Sequence, residues 1–102
     1  MSSLIRTPSI LVAGAIVLLS IDCRPKVTSV ECETLLARYA SLVVTEAYPD
    51  ASADRVSLEE QRERKEARGD DAFKNCSSEV SRAEFNCAMR AETADALEKC
   101  LE

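Results

Sequence analysis

The chain carries an apolar run over residues 10–21, interrupted only by Ser20, and then changes to apolar positions spaced three and four residues apart. The change separates two kinds of segment. A run that is apolar all round offers no face to water, whereas recurrence at i, i+3 and i+4 marks a helix with one buried stripe. The first run follows Arg6 and Pro8, matches the length of an export-signal core and is too short to span a bilayer. Residues 1–23 therefore read as a signal segment, and residues 24–29, beginning Arg24-Pro25-Lys26, as a short tether. Behind them Cys32, Leu35, Leu36, Tyr39, Leu42 and Val43 share a helical stripe and predict the main core helix. Thr28 and Glu31 form a capping box at its start, and Pro49 disfavours a helical conformation at Tyr48, so the helix ends there. Pro49-Asp50-Ala51-Ser52 supplies the turn.

The next stretch is the most charged. Ser57 with Glu60 has the spacing of another capping box, and the sequence to Arg68 alternates in sign, with Glu60 and Arg64 at i,i+4 and Glu59 and Arg62 at i,i+3. Little of it can be buried. It predicts a solvated helix whose long side chains drape over the core helix, or a charged docking surface built on Arg62, Arg64, Lys65 and Arg68. Gly69-Asp70-Asp71 interrupts the pattern, as a helix stop or as an irregularity, before Ala72, Phe73 and Cys76 return to the core face.

The last third has the clearest start signals. Ser81 and Glu84 form a capping box, and Val80 and Phe85 flank it as a hydrophobic staple, so a helix is expected from Arg82. Phe85, Ala88 and Met89 lie on one face, and Ala83, Cys87 and Ala91 on nearly the opposite one, a pattern expected of a helix sandwiched between neighbours. Thr93 caps a final short helix with Ala94, Leu97, Cys100 and Leu101 on its inner side. The expected fold is an all-α bundle of about four helices over residues 30–102, in one packed unit.

Composition narrows what this bundle can do. With 102 residues, of which an export segment would be lost, apolar burial is marginal and covalent staples are expected. Five cysteines and no histidine behind an export signal point to disulfides rather than a cytosolic thiol site. If the helix beginning near Val30 and the one ending near Cys76 form an antiparallel hairpin through the Pro49 turn, their distal ends meet, which pairs Cys32 with Cys76 and leaves Cys87 for Cys100. The pairing of Cys32 with Cys100 and Cys76 with Cys87 is the rival. A net charge of −5 argues against nucleic acid and anionic membrane surfaces, and four aromatic side chains without tryptophan argue against a base-stacking surface. Histidine is absent, carboxylate pairs sit only on the solvated helix, two glycines make no phosphate loop, and no Cys-x-x-Cys occurs. No catalytic residue and no cofactor is expected. A zinc site of Cys32, Cys76, Cys87 and Cys100 is the alternative use of the sulfurs, although the chain lacks the close cysteine pair such sites usually take from a knuckle.

Two resemblances add to this reading. Leu18-Leu19-Ser20-Ile21-Asp22-Cys23 resembles the lipobox of bacterial lipoproteins, departing from it most at Asp22, and the likeness implies acylation of Cys23 and a membrane anchor through the lipid alone. Cleavage after Ser20 or Ser29 without lipid is the competing outcome. The cysteine spacing, with helical pattern between and the Glu-Lys-Cys ending, resembles small exported helical proteins of bacterial envelopes, a likeness that implies no activity. The combined expectation is a non-catalytic exported module, in the periplasm, the cell envelope or the extracellular space, that engages a protein partner.

Overall fold

In the computed structural model, residues 26–102 are described; the expected signal over residues 1–23, the acylation of Cys23 and the first two tether residues lie outside them. The described chain is all-helical, with α1 at Ser29–Ala47, α2 at Ala53–Ala67, α3 at Cys76–Glu79, α4 at Arg82–Arg90 and α5 at Ala94–Cys100.

The local signals explain most of the starts. Thr28 and Glu31 close a reciprocal box at the head of α1, as do Ser81 and Glu84 at the head of α4, each satisfying two amides that the first helical turn cannot pair itself. Thr93 accepts from the amide of Ala96 and caps α5. The folded part extends further toward the N-terminus than the tether boundary suggests: Val27 is only 2% exposed and belongs to the core.

The start of α2 differs from expectation. Ser52, not Ser57, is its cap, accepting from the amide of Arg55 at 3.2 Å. The Pro49 turn is so tight that the helix can begin at once. Ser57 then lies inside it, where the first-turn amides that a cap would serve are no longer free. The number of helices also differs, five among the described residues against about four. After Ala67 the chain stops being helical at Gly69-Asp70-Asp71 and descends through turns, with Asp70 O accepting from the amides of Phe73 and Lys74 at 3.0 and 2.9 Å. A single turn, α3, follows. Val80 is extended, with φ −84° and ψ 125°, and so separates α3 from the capped start of α4.

α1 is the central element. Among the described helices α2 packs on α1 and on no other, while α3, α4 and α5 also pack on α1 and α4 pairs with α5. Leu35 and Leu36 from α1 meet Phe73, Val80, Phe85, Ala88 and Leu97 in the main core. Leu35 and Leu97 are completely buried, each stabilising by about 1.5–3 kcal/mol in transfer terms. Ala40 and Val44, further along α1, are also buried. The expected sandwich of α4 forms in part, between α1 and α5: Phe85 and Ala88 are buried on one face, and on the other Ala91 is buried and Cys87 is half-buried and bonded to α5, while Ala83 is exposed. Ala72 is exposed as well, whereas Phe73 and Cys76 do return to the core.

The cysteines pair as expected, but the helix expected to end near Cys76 stops at Ala67, and turns carry the chain on to Cys76 at the start of α3. Cys32 is bonded to Cys76 with Cα atoms 6.0 Å apart, and Cys87 to Cys100 with Cα atoms 5.7 Å apart. The first bridge ties the head of α1 to α3; the second ties α4 to α5.

Candidate functional site

Three polar arrangements distinguish the surface of this domain: the charged flanks of α2, a set of links that hold α4 and α5 to α1, and a pocket over the first disulfide.

On α2, Glu59 receives both Arg55 and Arg62, at 3.8 and 3.1 Å, so the i,i+3 pair read from sequence forms. Glu60 and Arg64 make no ion pair among the described residues, and Arg64 is half-buried. Lys65 is exposed. Arg68, at the end of the helix, leaves the group and reaches α1, where it meets Glu33 at 2.6 Å. The four cations singled out in the sequence are therefore not one patch: Arg62 is held beside Glu59, Arg68 faces α1, and Lys65 points to water. At 100° per residue Glu59, Glu63 and Glu66 lie on one flank of α2. Burial first, then the nearby charges of Glu66, Asp70 and Glu59, push the Glu63 carboxyl upward. The same flank faces Tyr39, whose hydroxyl donates to Glu98 of α5 at 3.1 Å. Burial and the Glu98 charge push that phenol up to about 12.

The links to α1 all span fifty residues or so, and neither composition nor periodicity signals them. Arg82, at the start of α4, forms a two-pronged pair with Glu31 at 2.7 and 2.9 Å, and it also donates to the Lys26 carbonyl at 3.4 Å. Because Glu31 already accepts from the Thr28 amide, one carboxylate secures the head of α1, the head of α4 and the incoming chain. The Arg82 hydrogen bonds, followed by that of the Thr28 amide, hold its carboxyl down at about 2. Arg38 donates to Ala91 O at 2.7 Å and closes the corner between α4 and α5, although its Nε is buried without a partner. Glu46 accepts from the amide of Ala94 at 2.9 Å, so the last turn of α1 helps cap α5.

The pocket, of ≈170 Å³, lies over the Cys32–Cys76 bridge. Its buried lining is Leu36, Phe73 and Cys76, and its exposed lining includes Ser29, Glu33, Arg68, Lys74 and Ser77. Lys74 pairs with Asp71 at 2.9 Å, a contact that depresses the Asp71 carboxyl and raises the Lys74 ammonium.

Each of the sulfurs that a four-cysteine zinc site would need is bonded to another sulfur, and the described residues contain no group of three or more potential metal ligands. Two disulfides in so small a domain belong with an oxidising environment. No helix among the described residues is long and apolar enough to cross a membrane. No protein-family model, curated protein or solved structure matches the chain.

Proposed function

We propose that this domain is a non-catalytic, disulfide-stapled module of an exported bacterial protein, acting at the cell envelope by engaging a protein partner through the outward side of α2. One observation carries the reading: among the described residues α2 packs on α1 alone, so that no other described helix covers the remaining sides of this fifteen-residue helix of alternating charge. A charged face of this kind favours steering and specificity over tight apolar binding. The two bridges fit an extracytoplasmic setting, and the apolar run of residues 10–21 fits an export signal.

Capture from envelope extracts tests the surface. The intact chain is compared with the variant Arg62→Glu/Arg64→Glu/Lys65→Glu/Arg68→Glu, and loss of captured partners is expected in the variant. Recovery of the same partners by both forms would remove the reading. Mass spectrometry of the mature protein tests export: the signal segment is absent, and a mass gain of a diacylglyceryl and an acyl group at Cys23 distinguishes lipidation from plain cleavage. Free thiols together with one tightly bound zinc per chain would put the metal-binding alternative in its place.

A further inference from the structure

We infer that the signal segment is cut upstream of Lys26, so that the mature chain begins between residues 21 and 26 and is not cut after Ser29. The inference rests on the export reading above and adds to it the place of the processing site.

The sequence offers two bonds with a small residue before the cut, after Ser20 and after Ser29, and the local pattern does not choose between them. The fold of residues 26–29 does. Val27, just before the second of these bonds, is 2% exposed and packs in the main core. Thr28 caps α1: its hydroxyl accepts from the Glu31 amide at 3.1 Å, and its own amide donates to the Glu31 carboxylate at 3.0 Å. The Lys26 carbonyl accepts from Arg82, which also holds Glu31, so the same segment is joined to the head of α4. These four residues are part of the folded domain and not a tether to be trimmed away.

Either order of events counts against a cut after Ser29. In the folded domain Ser29 is the first residue of α1, and the Thr28 carbonyl accepts from the Cys32 amide at 2.9 Å, so the bond between Ser29 and Val30 lies in a hydrogen-bonded helical turn and not in the loosely held chain that proteases prefer. Before folding, the cut would leave a chain that starts at Val30. Such a chain has nothing to fill the core position of Val27 and no cap for α1, and its terminal ammonium stands at the positive end of the helix dipole. Cys32 would then lie within the first turn from a terminus that frays, and the Cys32–Cys76 bridge would fasten α3 to that frayed end instead of to a capped helix.

Intact-mass spectrometry of the full chain, expressed with its own signal and recovered from the exported fraction, reads the N-terminus directly. A start at one of residues 21–26 is expected, with or without lipid. A start at residue 27 or later would overturn the inference and leave the export reading standing, whereas a chain that keeps residues 1–20 would overturn both. Ser29→Leu puts a bulky side chain at an exposed position where it blocks a cut after residue 29. The mature mass is expected to change by that substitution alone, and accumulation of the uncut precursor would overturn the inference. The physical premise has its own measurement. Val27→Ala/Thr28→Ala keeps small residues before the bond after Ser29, and the exported variant is expected to melt about 10 °C or more below the parent. Should it not fold, Thr28→Ala alone, which keeps the core side chain, is expected to melt about 4–8 °C lower. An unchanged melting temperature would mean that the segment does not hold the fold, and would overturn the inference as well.

Discussion

Replacing Cys32 and Cys76 together by alanine should destabilise the domain more than replacing Cys87 and Cys100. The difference follows from where the bridges lie. The first closes a loop between residues 44 positions apart and the second between residues 13 apart. A cross-link acts largely by restricting the unfolded chain, and in the chain-entropy relation these separations correspond to about 4 and about 3 kcal/mol at room temperature. Burial works in the same direction: Cys76 lies in the core, so its truncation also removes packed atoms, whereas Cys87 and Cys100 are half-buried. In a domain of about 60–100 residues each kcal/mol moves Tm by about 4–8 °C, so the Cys32→Ala/Cys76→Ala protein should melt at least about 15 °C below the parent. Urea unfolding followed by circular dichroism measures both variants on one scale. The slope of stability against urea should rise in each, and more in the long-loop variant, because an uncross-linked unfolded chain exposes more surface. An equal loss for the two variants, or a larger one for Cys87→Ala/Cys100→Ala, would refute chain restriction as the source.

Leu97→Ala removes a completely buried side chain from α5 and should cost about 2–5 kcal/mol, read from the urea midpoint. Ser52→Ala should cost about 1 kcal/mol through loss of the α2 cap, whereas Ser57→Ala, inside the helix, should be neutral or slightly stabilising; the opposite order would restore the cap at Ser57. Glu31 is held at about 2 when folded, below an ordinary carboxylate, so its contribution is fully present above its unfolded value and is lost as pH falls toward 2. Glu31→Gln should therefore flatten the acid limb of a stability-against-pH curve between about pH 4.5 and 2 while leaving the shape above pH 6 unchanged. Tyr39→Phe removes the hydrogen bond to Glu98 and should cost about 1 kcal/mol by the same unfolding assay.

What the sequence determined by itself is local. The boxes at Thr28 and Ser81, the cap at Thr93 and the end of α1 near Pro49 each depend on residues within a turn of one another, and the stripe from Cys32 through Leu35 and Leu36 depends only on helical period. The disulfide pairing was favoured over its rival by a hairpin through the Pro49 turn, but the turns between Ala67 and Cys76 are what bring Cys76 to the head of α1. Tertiary structure decided the rest. The choice between Ser52 and Ser57 turned on how tightly the Pro49 turn closes, since either serine satisfies the local rule. How much of the small stripe on α4 is covered depended on which helices reach it: Ala91 is buried and Cys87 is bonded to α5, while Ala83 stays exposed. The pairs Arg82 with Glu31, Arg38 with the Ala91 carbonyl and Arg68 with Glu33 join residues distant in the chain, and nothing in the composition of an exposed, alternating helix says which charge will meet which. A pocket is more distant still from sequence: the one over the Cys32–Cys76 bridge exists because α1, the turns after α2 and α3 converge without filling the space between them, and packing that leaves a gap has no periodicity to betray it.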